Sequence, residues 1–406
     1  MRSAPDRTRP LRSRALRARA ERLLALLADH PVWTLSAWTA ALAVPEAGHR
    51  TAVGWHSFVT GTQVLFSGSA GHLLAEHSAL QIGPVTYVVI APLVLGLPAA
   101  AARLAAMTAL AALGVAIVVL AGRLAPVAGG RHRQRLLLAG LAALPLWMHL
   151  AVGYAHADDA LALLFGVAAM WLTNRGRPLA AAALLALAAD CKPWAVVFVP
   201  ILLLDERHRL RAAAVYAGTI AAAWLPFFVL DPRSGSVATY RIANAANSSL
   251  RALGVDSART PLWDRPAQFA LGIGLGVLAW RRGRWEAILL VGVAARLLLD
   301  PSTKVYYDAG LAIGAVVVDV VSGTSTWPLA TAGVLALFSL PRTLLAADPA
   351  LYGWIRTSYL VGLVIALLGI RPRGPVDDGP PNQPGEASSV GQPAVAVADW
   401  HTATTG

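Results

Sequence analysis

Residues 100–121 read AAARLAAMTALAALGVAIVVLA, and Arg103 is the one ionisable side chain among them. At 1.5 Å per residue, a helix of that length measures about 33 Å. The hydrocarbon core of a bilayer is about 30 Å thick. Comparable apolar stretches recur at 31–45, 134–152, 157–173, 208–229, 266–281, 285–299, 306–322, 326–343 and 352–370. They predict an all-α, polytopic membrane fold with about ten transmembrane helices, ten to twelve if two broken stretches also cross. Those two are 81–98, interrupted by proline and glycine, and 178–204, interrupted by proline. They read as half-helices or re-entrant hairpins, because broken backbone persists at membrane depth only where protein or a wet cavity satisfies it.

Composition agrees. The 406 residues are 56% hydrophobic and only 14% charged, with a mean hydropathy of +0.57. Soluble domains carry roughly a quarter charged residues. The net charge of +12 would suit nucleic acid in a soluble chain. Here the basic residues stand between apolar runs, where they orient a membrane protein. Membrane lipid is therefore an expected partner and nucleic acid is not. The lone Cys191 excludes an intramolecular disulfide. No Walker A or glycine-rich nucleotide loop occurs. Gly272, Gly274 and Gly276 lie within an apolar run and read as helix packing. No cofactor is expected.

Three regions follow. Residues 1–29 form a basic cytoplasmic tail with a short interfacial helix, Leu16 to Leu27. Residues 30–370 form one membrane domain, and 371–406, rich in Pro, Gly and Asp, should be disordered. Arginine counting places the tail, Arg123/Arg131/Arg133/Arg135, Arg175/Arg177, Arg207/Arg209/Arg211, Arg281/Arg282/Arg284 and Arg371/Arg373 inside. Arg50, Lys304 and the arginines of loop 230–265 fall outside. Both termini are then cytoplasmic, and loops 46–80 and 230–265 are long outer loops. Making 81–98 and 178–204 full spans would move the 123–135 cluster outside, against the positive-inside tendency.

Ionisable residues at membrane depth are costly and usually face a cavity. His156, Asp158 and Asp159 open a helix in GYAHADDALALLFG. Capping accounts for one acid. Two adjacent acids beside a histidine suggest a polar site that binds a metal, positions a hydroxyl or accepts a proton. Asp190 and Lys192 in AADCKPWAVVF read either as an ion pair locking a broken helix or as a lysine meeting phosphate. In ARLLLDPSTKVYYDAG, Arg296 precedes Asp300 by four, so both can share a helix face before Pro301 ends it. With Lys304, Tyr306 and Tyr307 they suit phosphate and sugar better than interfacial anchoring alone. The loop 46–80 holds Glu46, His49, Trp55, His56, His72, Glu76 and His77. Its histidines lack metal-ligand spacing such as H-E-x-x-H, so no metal is assigned. Its segment 53–75, with Gln81-Ile82-Gly83-Pro84, reads as a lid along the interface.

In order, the chain carries HSALQIGPVTYVVIAPL, AARLAA, GYAHADDALALLFGVAAMWL, RGRPLAAAALLALAADCKPWAVVFVPILLL, AAAWLPFFVLDP and ARLLLDPSTKVYYDAG. This order resembles the GT-C membrane glycosyltransferases, closest to the bacterial branch that uses polyprenyl-phosphate mannose. The resemblance covers roughly residues 30–370. It implies an active site on the outer face of the bacterial cytoplasmic membrane and a polyprenyl-phosphate sugar donor entering sideways from the bilayer. It further implies inverting transfer, with mannose as the expected sugar, to a glycan or glycolipid acceptor. An acid takes the acceptor proton and cations stabilise the departing phosphate. Arg296, Lys304 and Lys192 are the candidate cations. In similar sequences an acid precedes the aromatic at Trp55, but Gly54 stands there. Asp158, Asp159, Glu46 and Glu76 are the candidate catalytic acids. A transporter or flippase of a polyprenyl-linked lipid, or an inactive scaffold with the same fold, is the alternative.

The arginine pattern makes one topological prediction. A cysteine at position 129, with Cys191 replaced, should be protected from an impermeant thiol reagent in intact cells. Labelling there would require the topology in which both broken stretches cross.

Overall fold

The computed structural model describes residues 9–49, 52–125, 129–322, 325–345 and 347–369. The segment 371–406, with its expected disorder, and Arg2, Arg7 and Arg50 lie outside the described residues. So do the side chains of Arg9, Arg12, Arg14, Arg17 and His49.

Helix follows from composition: Ala and Leu are strong helix formers, and lipid offers the backbone no hydrogen-bond partner. The fourteen principal helices are α1 (Arg9–Asp29), α2 (Pro31–His49), α3 (Trp55–Leu65), α4 (Pro84–Gly96), α5 (Ala99–Gly122), α6 (Gly130–Met148), α7 (Ala157–Asn174), α8 (Pro178–Cys191), α9 (Arg209–Leu230), α10 (Asp264–Arg281), α11 (Ile288–Leu298), α12 (Asp308–Ser322), α13 (Leu329–Leu344) and α14 (Pro349–Gly369). No strand occurs among the described residues, which hold one isolated bridge, Ala243 with Arg259. The protein is an all-α polytopic membrane protein. Among the described residues, five helical stretches are long and apolar enough to cross a membrane: Ala99–Gly122, Gly130–Tyr154, Arg209–Leu230, Val305–Ser322 and Pro349–Gly369. The expected spans near 31, 157, 266, 285 and 326 also form helices, but α7 and α10 carry charges in their first turns, α11 has only 11 residues, and the apolar part of α13 is short.

Contacts order the helices between two ends of the bundle. Arg133 pairs with Asp29 at 3.0 Å, Arg135 donates to Ser325 O at 2.5 Å, Arg209 lies 5.1 Å over Trp280, and Arg282 donates to Leu368 O. These arginines, grouped together by the positive-inside pattern, share one end. The ends of α8 and α11 and the start of α7 lie at the other. Small residues let the helices approach. An added Cβ at Gly114 would meet Trp147 at 2.4 Å, at Gly272 Val197 at 2.6 Å, and at Gly276 Pro200 at 2.7 Å. Gly274 faces open space, so two of the three glycines in that run serve packing.

The stretch 178–204 is a hairpin. Helix α8 runs from the basic end to Cys191, and a 3-10 segment, Pro193–Leu204, returns. Fourteen α-helical residues rise about 21 Å and twelve 3-10 residues about 24 Å, so the legs match. The tip, Lys192, is extended, with φ −143° and ψ 111°. It docks on α4, where Gly83 N–H donates to Cys191 O at 2.9 Å. The tip therefore reaches the far end from a hairpin rooted at the basic end.

An added Cβ at Gly83 would lie 1.7 Å from Asp190 O, a backbone atom that cannot swing away. Gly83→Ala should therefore destabilise the protein by at least about 2 kcal/mol, while Gly274→Ala should be neutral. Thermal unfolding in detergent, followed by tryptophan fluorescence, compares the two.

Candidate active site

Helix α7 begins where α6 ends irregularly. Residues His149–Tyr154 form a π turn, and Ala155 follows in the left-handed region at φ +50°. π turns and non-glycine residues at positive φ cost energy and concentrate at functional sites. Among the described residues, Ala52, Gln81 and Ala155 are the non-glycine residues with positive φ, and all three border this region. The turn at Ala52 clamps the π turn through Ala52 N–H to Val152 O at 2.8 Å, Val53 N–H to Gly153 O at 3.1 Å and Gly54 N–H to Tyr154 O at 2.9 Å. Gly54 is required at that approach: a Cβ there would stand 2.8 Å from Tyr154 O and 3.0 Å from His156 Nε2.

The first turn of α7 buries both of its acids. Asp158 is fully buried, and its Oδ2 accepts from Lys192 Nζ at the hairpin tip. Its Oδ1 accepts from the Asp159 backbone N–H at 2.8 Å and lies 3.3 Å from His156 Nδ1. Asp159 Oδ1 accepts from Trp194 Nε1 at 2.7 Å and stands 3.8 Å from Arg296. Its Oδ2 lies 3.4 Å from His156 Nδ1 and 3.8 Å from Lys192. The Arg296 guanidinium is held between two rings, 4.6 Å from the centroid of Trp194 and 4.4 Å from that of Tyr307. Asp300 Oδ2 is 3.9 Å from Arg296, and Oδ1 accepts from Ser302 N–H at 2.7 Å. The His156 ring stacks on Tyr306 at 3.9 Å, and Tyr306 adjoins Tyr154 and Tyr307 at 4.8 and 4.6 Å.

Lys192 does not pair with Asp190. The extended backbone at Lys192 turns its side chain toward α7, while Asp190, still in α8, accepts from Trp224 Nε1 of α9 at 3.0 Å. The internal ion pair considered from sequence is thus replaced by two bonds that tie the hairpin tip to different helices. The structure brings His156, Asp158, Asp159, Lys192, Arg296, Asp300, Tyr306 and Tyr307 together. Glu46 stands apart, 3.1 Å from His149 Nδ1, on a second cavity of about 600 Å³ that also touches Tyr154 and Val305. Glu76 and Lys304 are exposed and outside the network.

A cavity of about 560 Å³ opens beside the cluster. Lys192, Arg265 and Arg296 border it with Asp264 and Asp300, and Trp224, Phe228 and Phe269 supply apolar wall. Trp194, Gln81, Asp264, Arg265 and Gln268 were not singled out as site residues from sequence. One signal was present: Asp264 and Gln268 are four apart, the spacing of one helix face. The ligand atoms of His156, Asp158 and Asp159 lie within 4.8 Å of one another, close enough to invite a divalent cation. The Lys192 ammonium already stands against both carboxylates and supplies that charge, so the set does not fit a metal.

Residues 83–323, more than half of the chain, match the family model described as Glycosyltransferase family 87. The fold and this match define a GT-C-type membrane glycosyltransferase. The chain belongs to glycosyltransferase family 87. No curated protein and no solved structure matches it.

Removing one partner of a buried ion pair strands the other charge, at about 3–5 kcal/mol. Asp158 has no exposed side-chain surface and Lys192 only 15%. Lys192→Met should therefore destabilise the protein more than Lys192→Met combined with Asp158→Leu. Chemical denaturation in detergent of the two single variants and the double variant reads the coupling.

Proposed function

We propose that this protein moves a sugar from a polyprenyl-phosphate donor to a lipid-linked or cell-envelope glycan, and that mannose is the sugar. The observation that carries the reading is one cavity bordered by three cations, Lys192, Arg265 and Arg296, together with aromatic wall. A phosphate demands cations, and a polyprenyl chain demands apolar surface. Helix α9 contributes Ile220, Trp224 and Phe228 to that wall and exposes Leu225, Val229 and Leu230 on its other side. With those exposed side chains as the lipid-facing surface, the cavity would lie one helix away from lipid, which supports sideways entry of the donor.

In the proposed reaction an acceptor hydroxyl attacks the anomeric carbon with inversion. The sugar–phosphate bond breaks and its electron pair leaves on the phosphate oxygen. Lys192 and Arg296 face that oxygen as charge grows on it. Both are held in place beforehand, Lys192 by Asp158 and Arg296 by the Trp194 and Tyr307 rings, so no reorganisation is needed during transfer. Asp158 and Asp159 act here by fixing the cations. Glu46, in the last turn of α2 rather than in the loop expected from sequence, borders the neighbouring cavity beside Tyr154 and is the acid proposed to take the acceptor proton, with the exposed Glu76 as the alternative. His156, Asp300, Tyr306 and Tyr307 shape the sugar site, and Lys304 meets headgroups at the rim.

The site end is proposed to face outward from a bacterial cytoplasmic membrane, with both termini in the cytoplasm. Residues 30–370 would form the membrane domain between polar tails.

Purified protein in lipid nanodiscs, given radiolabelled polyprenyl-phosphate mannose and membrane lipid extract, should form a labelled glycolipid. Arg296→Ala should weaken donor binding by about tenfold or more, because hydrogen bonds to charged groups contribute about 1.5–3 kcal/mol. Movement of the lipid across the bilayer without sugar transfer would overturn the enzyme reading in favour of a flippase.

A further inference from the structure

The cavity wall contains a short polar chain with two buried atoms left unpaired. Gln81 Oε1 accepts from Arg265 NH2 at 2.7 Å. That bond fixes which way the amide points and leaves Gln81 Nε2 buried without a hydrogen-bond partner. On the adjoining residue, Asp264 Oδ2 accepts from Gln268 Nε2 at 2.8 Å, and Gln268 Nε2 also lies 3.2 Å from Leu299 O. Asp264 Oδ1 is buried without a hydrogen-bond partner, and the residue as a whole has no exposed surface. Both residues border the cavity of about 560 Å³.

A buried polar atom left unpaired costs about 1–3 kcal/mol, and such atoms are rare in folded proteins. Here a lone donor and a lone acceptor sit on residues joined through Arg265. Gln81 is also held at φ +51°, a conformation unfavourable for a side-chain-bearing residue. A ligand group that matches a lone donor and a lone acceptor on the same wall is a hydroxyl, which donates one hydrogen bond and accepts others. A phosphate oxygen would satisfy Gln81 but repel the Asp264 carboxylate. An alkyl chain would satisfy neither.

We propose that Gln81 and Asp264 form a subsite for a sugar-ring hydroxyl, with the hydroxyl donating to Asp264 Oδ1 and accepting from Gln81 Nε2. The subsite rests on the glycosyltransferase reading above and adds to it a sugar-recognising wall distinct from the phosphate-facing cations. Arg265 and Gln268 are positioning residues within it, each orienting one of the two contacts. A site whose buried polar groups demand a hydroxyl discriminates strongly against a sugar that lacks it.

The test uses wild type, Gln81→Leu and Asp264→Asn in nanodiscs, each checked for folding by thermal unfolding. Donor binding is measured with polyprenyl-phosphate mannose alone, and transfer with membrane lipid extract as acceptor. If the hydroxyl belongs to the donor ring, both variants should lose donor affinity by roughly tenfold. Wild type, but not the variants, should then discriminate among ring-deoxy donors. If it belongs to the acceptor ring, donor binding should stay unchanged and the acceptor KM should rise by a similar factor at saturating donor. Unchanged donor affinity and unchanged acceptor KM in either folded variant would overturn the subsite. If only one variant folds, it decides alone. If neither folds, the deoxy-donor series and a deoxy-acceptor series on wild type decide, and equal use of every analogue overturns the proposal. A wild type that neither binds nor transfers from the mannose donor would instead refute the glycosyltransferase substrate assignment.

Discussion

The contact between Lys192 and Asp158 holds the far end of the bundle together. It joins the tip of a hairpin that starts at the basic end to the first turn of a helix that starts at the other. Two unpaired charges at that depth would be prohibitively costly, and paired they still offset little more than their own desolvation. The pair therefore earns its place through what it positions. With Lys192 anchored, Trp194 reaches Asp159, the Arg296 guanidinium is sandwiched against Trp194 and Tyr307, and the cavity has a charged wall.

Strain gathers around the same point. The π turn before Ala155 and the left-handed residues Ala52, Gln81 and Ala155 all flank the cluster. The bundle around it is closely packed, with glycines set against Trp147, Val197 and Pro200. A rigid frame of this kind can keep costly local geometry in place. Gly54 belongs to that geometry, because His156 and the Tyr154 carbonyl occupy the space a side chain would need.

Two cavities lie near the aromatic stack of Tyr154, Tyr306 and His156. One is bordered by Lys192 and Arg296 and by apolar rings, the other by Glu46, His149 and Tyr154. Charge and apolar surface meet in the first, which is what a ligand with a phosphate and a long chain requires. Outside the bundle core, Asp231 shows how the connecting loops are fastened. Arg233 and His72 hold its carboxylate well below the usual range, which ties the loop carrying His72 to the end of α9.

The sequence by itself determined the class of fold, because runs of about twenty apolar residues permit only helix in lipid. It also marked the acids of α7, Lys192 and Arg296, since charge within such runs stands out. It carried the order of motifs that the family match later covered. Tertiary structure decided which charges meet. Asp190 and Lys192 are near neighbours in sequence yet face different helices, because the chain extends at the hairpin tip. Glu46, Glu76 and Lys304 carry the right chemistry but lie outside the cluster. Gln81, which the sequence placed only in a lid, and Asp264 and Arg265, which it placed in a long loop, became candidates for the site when folding left Gln81 Nε2 and Asp264 Oδ1 buried beside a cavity. Hydropathy is a local property and can be read along a chain. The pairing of buried polar atoms depends on which segments pack together, and that is settled only in three dimensions.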